Sequence, residues 1–522
     1  MQSEKYATAC REIAGIISNM DEPDVRSVKR VIKNISAKYA LSTLPKNVDI
    51  LFHLSHSNSR KLLRVKPAKT ASGVAVVAVM PRPYACPHGK CTYCPGGVES
   101  GTPNSYTGKE PSTINAVEYE YDPYMQIESK IRGLERKGHD VSKVELVIIG
   151  GTFLFMPKDY QQGFVKICYD ALNGFKAKSL EEAKKFNETA DIRNVGLTIE
   201  TKPDYCRREH VDMMLDYGAT RVEIGVQSLR EDVYEIVNRG HTLDDVVEAF
   251  QVARDSGYKI VVHMMPGLPN STPEKDIEDF RKLFSDERFR PDMLKIYPTL
   301  VVENTGLFNM YKNGRYHAYT DEDLIDVIVN VKKIIPRWVR IMRVQREIAS
   351  EDIIAGPKSG NLRQLVLKRL REEGGKCSCI RCREIGLSKN HTVHSVKLMR
   401  ETYEVSGGQE IFLSYEDPEN DLLFGFLRMR APSEYAHRKE VKECCIVREV
   451  HVYGQALRLG MRDRSSAQHR GYGSMLMEEA ERIASEEFNA KKMLVISAIG
   501  TREYYRRFGY TLEGPYMKKY LR

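Results

Sequence analysis

Between residues 74 and 344, short β-branched apolar runs alternate with amphipathic segments of helix length. The runs cover 74–80, 144–150, 195–200, 221–226, 260–265, 293–299 and 339–344. Such alternation predicts a parallel sheet with right-handed crossovers. Periodicity leaves open whether the sheet is doubly wound or curls into a partial barrel. The runs end on polar or turn-forming residues: Gly150-Gly151-Thr152, Glu200-Thr201, Gln227-Ser228, Pro266-Gly267 and Pro298-Thr299. Ligands of parallel α/β folds bind at these carboxyl ends.

The pattern differs on either side. Before residue 54, Val25, Val28, Val31, Ile32 and Ile35 recur at helical spacing behind Asp21 and Asp24, so short helices are expected. Residues 81–105 are dense in Pro, Gly and Cys and read as a loop built around a ligand. Residues 353–394 form a connector with Gly356-Pro357 and Gly374-Gly375. Beyond Glu401, runs 411–415 and 422–430 predict a hairpin across Asp417-Pro418-Glu419-Asn420. A strand at 446–453, a helix at 472–487 and a strand at 493–498 complete a small α/β unit. The expected division is a helical basic region (1–70), a main α/β domain (71–350), a linker (351–395) and a C-terminal α/β domain (396–522).

Composition supports several folded domains: 522 residues, 42% hydrophobic and 29% charged. No apolar run approaches the roughly 20 residues of a membrane span, and the charged N-terminus is unlike a secretory signal. A cytoplasmic protein is expected. Eleven cysteines in such a chain point to metal chemistry rather than a disulfide framework. Five of them, Cys10, Cys168, Cys206, Cys444 and Cys445, read as buried small hydrophobes. The net charge of +9 is unevenly spread: no acidic residue occurs between Asp49 and Glu99. Arg60, Lys61, Arg64, Lys66 and Lys69 lie there, and Lys29, Arg30 and Lys33 lie on the preceding helix. A solvated face, or a shell around a thiolate cluster, is the plain alternative to a phosphate-backbone footprint, which the combined clusters favour.

Cys86, Cys91 and Cys94 form a Cys-x4-Cys-x2-Cys array after the first run. Three thiolates on a cubic iron–sulfur cluster leave the fourth iron open for a ligand. A zinc site using His88 as fourth ligand is the alternative. Cys377, Cys379 and Cys382 place three thiols within six residues of the connector and read as a structural zinc staple. Its fourth ligand is open, His391 and His394 being nearest.

The cysteine loop, with Tyr93 before its last cysteine, resembles that of radical S-adenosylmethionine enzymes, whose commoner spacing is Cys-x3-Cys-x2-Cys. Cys-Pro-His-Gly ahead and Cys-Pro-Gly-Gly behind resemble the Elongator catalytic subunit family of tRNA uridine acetyltransferases, in its archaeal form. Tyr106-Thr107-Gly108, Gly150-Gly151-Thr152-Phe153, Thr198-Ile199-Glu200-Thr201, Glu223-Ile224-Gly225-Val226-Gln227-Ser228 and His263-Met264-Met265-Pro266 match as well. The resemblance implies a partial (β/α) barrel holding a [4Fe-4S] cluster and S-adenosylmethionine. Gly150, Gly151 and Thr152 would meet the cofactor's methionine moiety, with Glu200, Gln227, His263 and Lys295 lining the mouth. Lys143 matches a position implicated in acetyl-CoA contact.

Gln468-His-Arg-Gly471-Tyr-Gly473 precedes a helix whose exposed amides suit a diphosphate. With its flanking strands it resembles the acetyl-CoA motif of GCN5-related acetyltransferases and includes Tyr472 and Ser474. That likeness implies that the backbone of Glu449, Val450, His451 and Val452 pairs with pantetheine. A tyrosine hydroxyl, Tyr505 in preference to Tyr504, would protonate the leaving thiolate.

Taken together, the resemblance implies a two-cofactor enzyme that activates the acetyl methyl of acetyl-CoA and installs a carboxymethyl group on carbon five of the tRNA wobble uridine. It would engage the anticodon stem-loop, as a homodimer or within a larger complex. A protein lysine N-acetyltransferase with a structural cluster, and a non-catalytic tRNA scaffold, are the competing readings.

Overall fold

The computed structural model describes residues 2–54, 59–70, 72–387, 393, 395–453 and 471–521. Its first sheet has seven parallel strands, β1 (Ala75–Val79), β2 (Lys143–Ile148), β3 (Arg193–Thr201), β4 (Arg221–Gln227), β5 (Lys259–Met264), β6 (Met293–Ile296) and β7 (Arg340–Arg343). All seven expected runs are present. They pair in strict chain order, each parallel to the next. A doubly wound sheet requires a reversal of that order, and there is none. The edges β1 and β7 do not pair with each other, so the sheet is a partial barrel.

Alternation along each strand sorts its two faces. Ala75, Val77 and Val79 of β1, and Val144, Leu146 and Ile148 of β2, are buried in the core shared with the surrounding helices. The intervening residues face the barrel lumen, and many are polar: Glu145, Thr198, Glu200, Arg221, Glu223, His263 and Lys295. Burying polar groups in a lumen is costly without partners, so this row marks the functional face.

Before the barrel, α1 (Gln2–Ser18), α2 (Val25–Lys38), α3 (Asn47–His53) and α4 (Arg60–Leu63) close on Ile13, Ile17, Val28, Ile32 and Leu51. Asp24 caps α2 through Ser27. This unit docks on the barrel through Arg60, whose guanidinium donates to Leu51, Leu54 and Glu135 carbonyls, and Arg64, which donates to the Gly138 carbonyl.

The C-terminal sheet contains β8 (Lys397–Val405), β9 (Gly408–Asp417), β10 (Leu422–Ala431), β11 (Cys444–Val452), β12 (Lys492–Val495), β13 (Thr511–Glu513) and β14 (Tyr516–Tyr520). Their order is β8-β9-β10-β11-β12-β14-β13. The expected hairpin is β9–β10. The expected elements leave out β8, β13 and β14: β8 and β13 are exposed edge strands, and β14, between β12 and β13, is fully buried only at Tyr516 and Met517, so the hydrophobic alternation is weak in each. β11 and β12 pair in parallel only from Cys444 with Lys492 to Val447 with Val495. Beyond this they separate, and among the described residues the β12 side of Glu449–Val452 has no strand partner.

The two sheets meet in a buried charge lattice. Arg448 donates to both Asp292 carboxylate oxygens at 2.8 and 2.6 Å, and to Glu410. Arg430 donates to Asp255 at 2.6 Å. Gly500 also permits close approach, because a Cβ there would lie 2.5 Å from Arg193 Cβ. Among the described residues, no helix is long and apolar enough to cross a membrane.

Candidate active site

The barrel lumen is one cavity of about 650 Å³ that reaches from the cysteine loop, over the strands' carboxyl ends, to the C-terminal sheet at their amino ends. Cys86, Cys91, Cys94, Glu200, Gln227, His263, Lys295, Glu449, His451 and Tyr505 all line it. Residues separated by as many as 419 positions of sequence thus share one chamber.

At the upper end, the loop after β1 turns on Gly96, whose φ is +69°; a Cβ there would stand 2.1 Å from the Tyr106 carbonyl oxygen. Each thiol has a polar neighbour. Asn104 Nδ2 donates to Cys86 Sγ at 3.1 Å, and the Ser105 amide to Cys94 Sγ at 3.1 Å. His88 Nε2 lies 3.1 Å from Cys91 Sγ, and Arg239 Nη1 donates to the same sulfur at 3.6 Å. Burial, with Lys202 and Arg239 alongside, pushes the His88 imidazole down to about 3. Three thiolates on a single tetrahedral zinc would lie about 3.8 Å apart. These three sulfurs do not form a group of ligand atoms all within 4.8 Å of one another, whereas those of Cys377, Cys379 and Cys382 do. The upper triplet is more widely spaced, which suits a cluster.

Beside the loop, Gly150 has φ +109°, while Gly151, Thr152 and Glu200 line the cavity. Gln227 is held at φ +76°, and its buried Oε1 has no partner among the described residues. Such an orphan acceptor in a lumen suits a ligand donor. Below it, Glu223 accepts from His263 at 2.8 Å and pairs with Lys295, whose ammonium also lies 3.9 Å from Glu200. Burial pushes the Glu223 carboxyl up, but Lys295 and His263 outweigh it and hold the group well below the usual carboxylate range. Burial raises Glu200. Lys143 opens β2, half-buried, beside Arg193 in register and outside the cavity lining.

At the lower end, Tyr505 is 8% exposed and faces the chamber. Tyr504 is 37% exposed, with its hydroxyl over Gly473. Glu449 accepts from Arg428 Nε at 2.9 Å; burial raises its carboxyl, and Arg428 and Lys259 more than reverse this. Burial lowers the His451 imidazole, and its Nε2 has no partner among the described residues. Gly471, at φ +78°, caps the helix Tyr472–Glu486, so Tyr472, Gly473 and Ser474 form its first turn. Gln468 lies outside the described residues.

Against the connector's cysteines, Lys332 of the helix Asp321–Ile334 is fully buried and donates to Cys377 Sγ at 3.4 Å and Cys382 Sγ at 3.8 Å. His391 and His394 lie outside the described residues. On the N-terminal unit, Lys29, Arg30 and Lys33 are exposed on α2, and Lys61, Lys66 and Lys69 are exposed nearby. Arg60 and Arg64 are instead committed to backbone carbonyls.

Sequence reasoning overlooked Glu223, although it precedes Gln227 by four residues on one strand and must share its face. It also overlooked Asn104, Lys202 and Arg239, which no spacing signals, because chain folding alone brings them to the thiols.

Family models match residues 6–71 as the ELP3 N-terminal domain, 80–284 as the radical SAM superfamily and 291–372 as the radical SAM C-terminal domain. The chain is 46% identical to Elongator complex protein 3 of Schizosaccharomyces pombe, over 99% of this chain and 98% of that one. The chain belongs to the Elongator complex protein 3 family. Within the family, it is 49% identical to the tRNA uridine(34) acetyltransferase of Methanocaldococcus jannaschii, over 91% of this chain and 90% of that one. The solved Elp3 of Methanocaldococcus infernus, lacking its N-terminal 46 residues, superposes with a TM-score of 0.77. It is 45% identical and covers 86% of this chain and 100% of that one. The protein is thus a radical SAM family member whose relatives include a tRNA uridine acetyltransferase.

Proposed function

We propose that this protein installs a carboxymethyl group on carbon five of the tRNA wobble uridine, drawing the two carbons from acetyl-CoA. The observation that carries the reading is the single lumen joining the cysteine triplet to the acyl end. Cys86, Cys91 and Cys94 hold a [4Fe-4S] cluster, with Gly150, Gly151, Thr152 and Gln227 around S-adenosylmethionine. When bound, this pair supplies the radical chemistry that activates the acetyl methyl. Glu200, Glu223, His263 and Lys295 set a fixed charge pattern between the two ends and exclude bulk water.

Acetyl-CoA enters where β11 and β12 separate. The backbone of Glu449, Val450, His451 and Val452 pairs with pantetheine, and the amides of Gly471 to Ser474 meet the diphosphate. Gln468 and Lys143 complete the coenzyme contacts. Water adding to the thioester carbonyl would form the carboxylate as the C–S bond breaks, and Tyr505, buried and facing the lumen, would give its proton to the departing thiolate; Tyr504 packs on the helix start. Zinc bound by Cys377, Cys379 and Cys382, with Lys332 closing its inner side, staples the linker (351–395) between barrel domain (71–350) and acetyltransferase domain (396–522). Lys29, Arg30, Lys33, Lys61, Lys66 and Lys69 on the N-terminal unit (1–70) meet the phosphates of the anticodon stem-loop. Glu449, the base a lysine N-acetyltransferase would draw on, is instead paired with Arg428, which disfavours that reading.

The test is anaerobic incubation with tRNA, S-adenosylmethionine, acetyl-CoA and reductant, followed by nucleoside analysis. Carboxymethyluridine is expected from the intact protein and not from Cys91→Ala. Its persistence in that variant, or acetylated lysine without a tRNA product, overturns the reading.

A further inference from the structure

The cysteine loop is one residue longer than the commoner spacing, and the added length carries His88 to a defined place. Its ring lies between Cys91 Sγ, 3.1 Å from Nε2, and Lys202 Nζ, 3.0 Å from Nδ1. Gly240 walls the ring in, since a Cβ at Gly240 would stand 2.4 Å from His88 Cβ. Lys202 follows β3, is 3% exposed and is paired with Asp204 at 3.2 Å. An ammonium has hydrogens to give and no lone pair to offer. Nδ1 must therefore accept, which leaves the proton of a neutral ring on Nε2, directed at the sulfur.

We propose that Lys202 fixes His88 in the Nε2–H tautomer, so that His88 and Arg239 together donate two hydrogen bonds to the Cys91 thiolate and raise the reduction potential of the cluster. The proposal rests on reading Cys86, Cys91 and Cys94 as cluster ligands. Reduction adds negative charge that spreads onto the ligating sulfurs, and donors aimed at a sulfur stabilise that charge. Arg239 is the constant donor, tied also to the Gly225 carbonyl at 2.6 Å. His88 is the oriented one, dependent on an amine delivered from a different strand. Both residues act through Cys91 and are positioning residues. The barrel thereby acts on the electron affinity of a centre held in a loop.

The test is a potentiometric titration of the reconstituted full-length protein followed by electron paramagnetic resonance, with iron and sulfide measured on each sample. His88→Phe keeps a ring against Gly240 and removes the donor. Lys202→Met leaves the cysteine loop untouched and frees the tautomer. Each is expected to lower the midpoint, giving a reduced-to-oxidised ratio roughly tenfold smaller at fixed poise, about 59 mV for a one-electron couple. Lys202→Arg, which still donates, is expected to keep the parent midpoint. An unchanged midpoint in His88→Phe at parental iron and sulfide content overturns the proposal. Loss of the cluster in His88→Phe, with an unchanged midpoint in Lys202→Met, overturns it too and makes His88 a ligand. Parent protein that takes up no iron and sulfide overturns the cluster reading itself.

Discussion

Two adjacent tyrosines show how one position of chain decides chemistry. Helical geometry separates neighbouring side chains by about 100°, so Tyr505 enters the lumen while Tyr504 covers Gly473. Tyr505→Phe is expected to slow tRNA-dependent release of coenzyme A by roughly 10²-fold or more, the usual weight of a placed general acid. Tyr504→Phe should stay within about threefold, as thiol release assays will read. Gly96 is equally committed for a steric reason. Gly96→Ala forces a Cβ onto the Tyr106 carbonyl at a left-handed φ, so the loop must open. Iron and sulfide per chain are expected to fall well below the parent under identical reconstitution.

At the scale of elements, α2 separates its two faces cleanly: Val28, Ile32 and Ile35 inward, Lys29, Arg30 and Lys33 outward. The basic residues of this region are therefore not equivalent. Charge reversal at Lys29 and Lys33 is expected to reduce the salt slope of tRNA binding by about one per lost phosphate contact, with stability unchanged. Arg60→Glu behaves oppositely, because its guanidinium holds α3 and the helix Pro123–Arg136 by their carbonyls. Its melting temperature falls before its salt slope changes. β11 is a second element with two roles, since its first half pairs with β12 and its second half opens an edge to the lumen.

For the whole molecule, the charge lattice between the sheets fixes the distance between the two ends of the lumen. Asp292 is fully buried among Arg448, Arg428 and Arg254; burial raises its carboxyl, and the three guanidiniums outweigh this and hold it below its ordinary value. A depressed folded value means that the stabilisation is complete above the unfolded carboxylate value, about pH 3.9, and is lost as the pH falls through the folded one. Urea midpoints should already decline below about pH 6.5, where unfolding lets His88 and His451 take up protons, and fall further in stronger acid as Asp292 titrates. Asp292→Asn flattens that acid limb and costs about 3–5 kcal/mol at neutral pH, because it leaves buried guanidiniums without their anion.

By itself the sequence determined the seven strands of the barrel, the cysteine triplets and the helix start at Gly471, because each is written in local pattern or spacing. A period of two, a Cys-x4-Cys-x2-Cys array and a Gly-x-Gly before an amphipathic run need no distant partner to be read. It also carried the polar strand ends, and with them Glu200 and Gln227, whereas His263 and Lys295 followed only from the family resemblance. Partial barrel rather than doubly wound sheet was decided by strand order, a property of pairing between segments far apart in sequence. The tertiary structure alone joined Cys91 to Tyr505 in one lumen, withdrew Arg60 and Arg64 into docking, and tied Glu449 to Arg428. It also brought Lys202, Arg239 and Glu223 to their places. Those outcomes depend on which buried charges meet, and a partner hundreds of residues away leaves no trace in the local pattern.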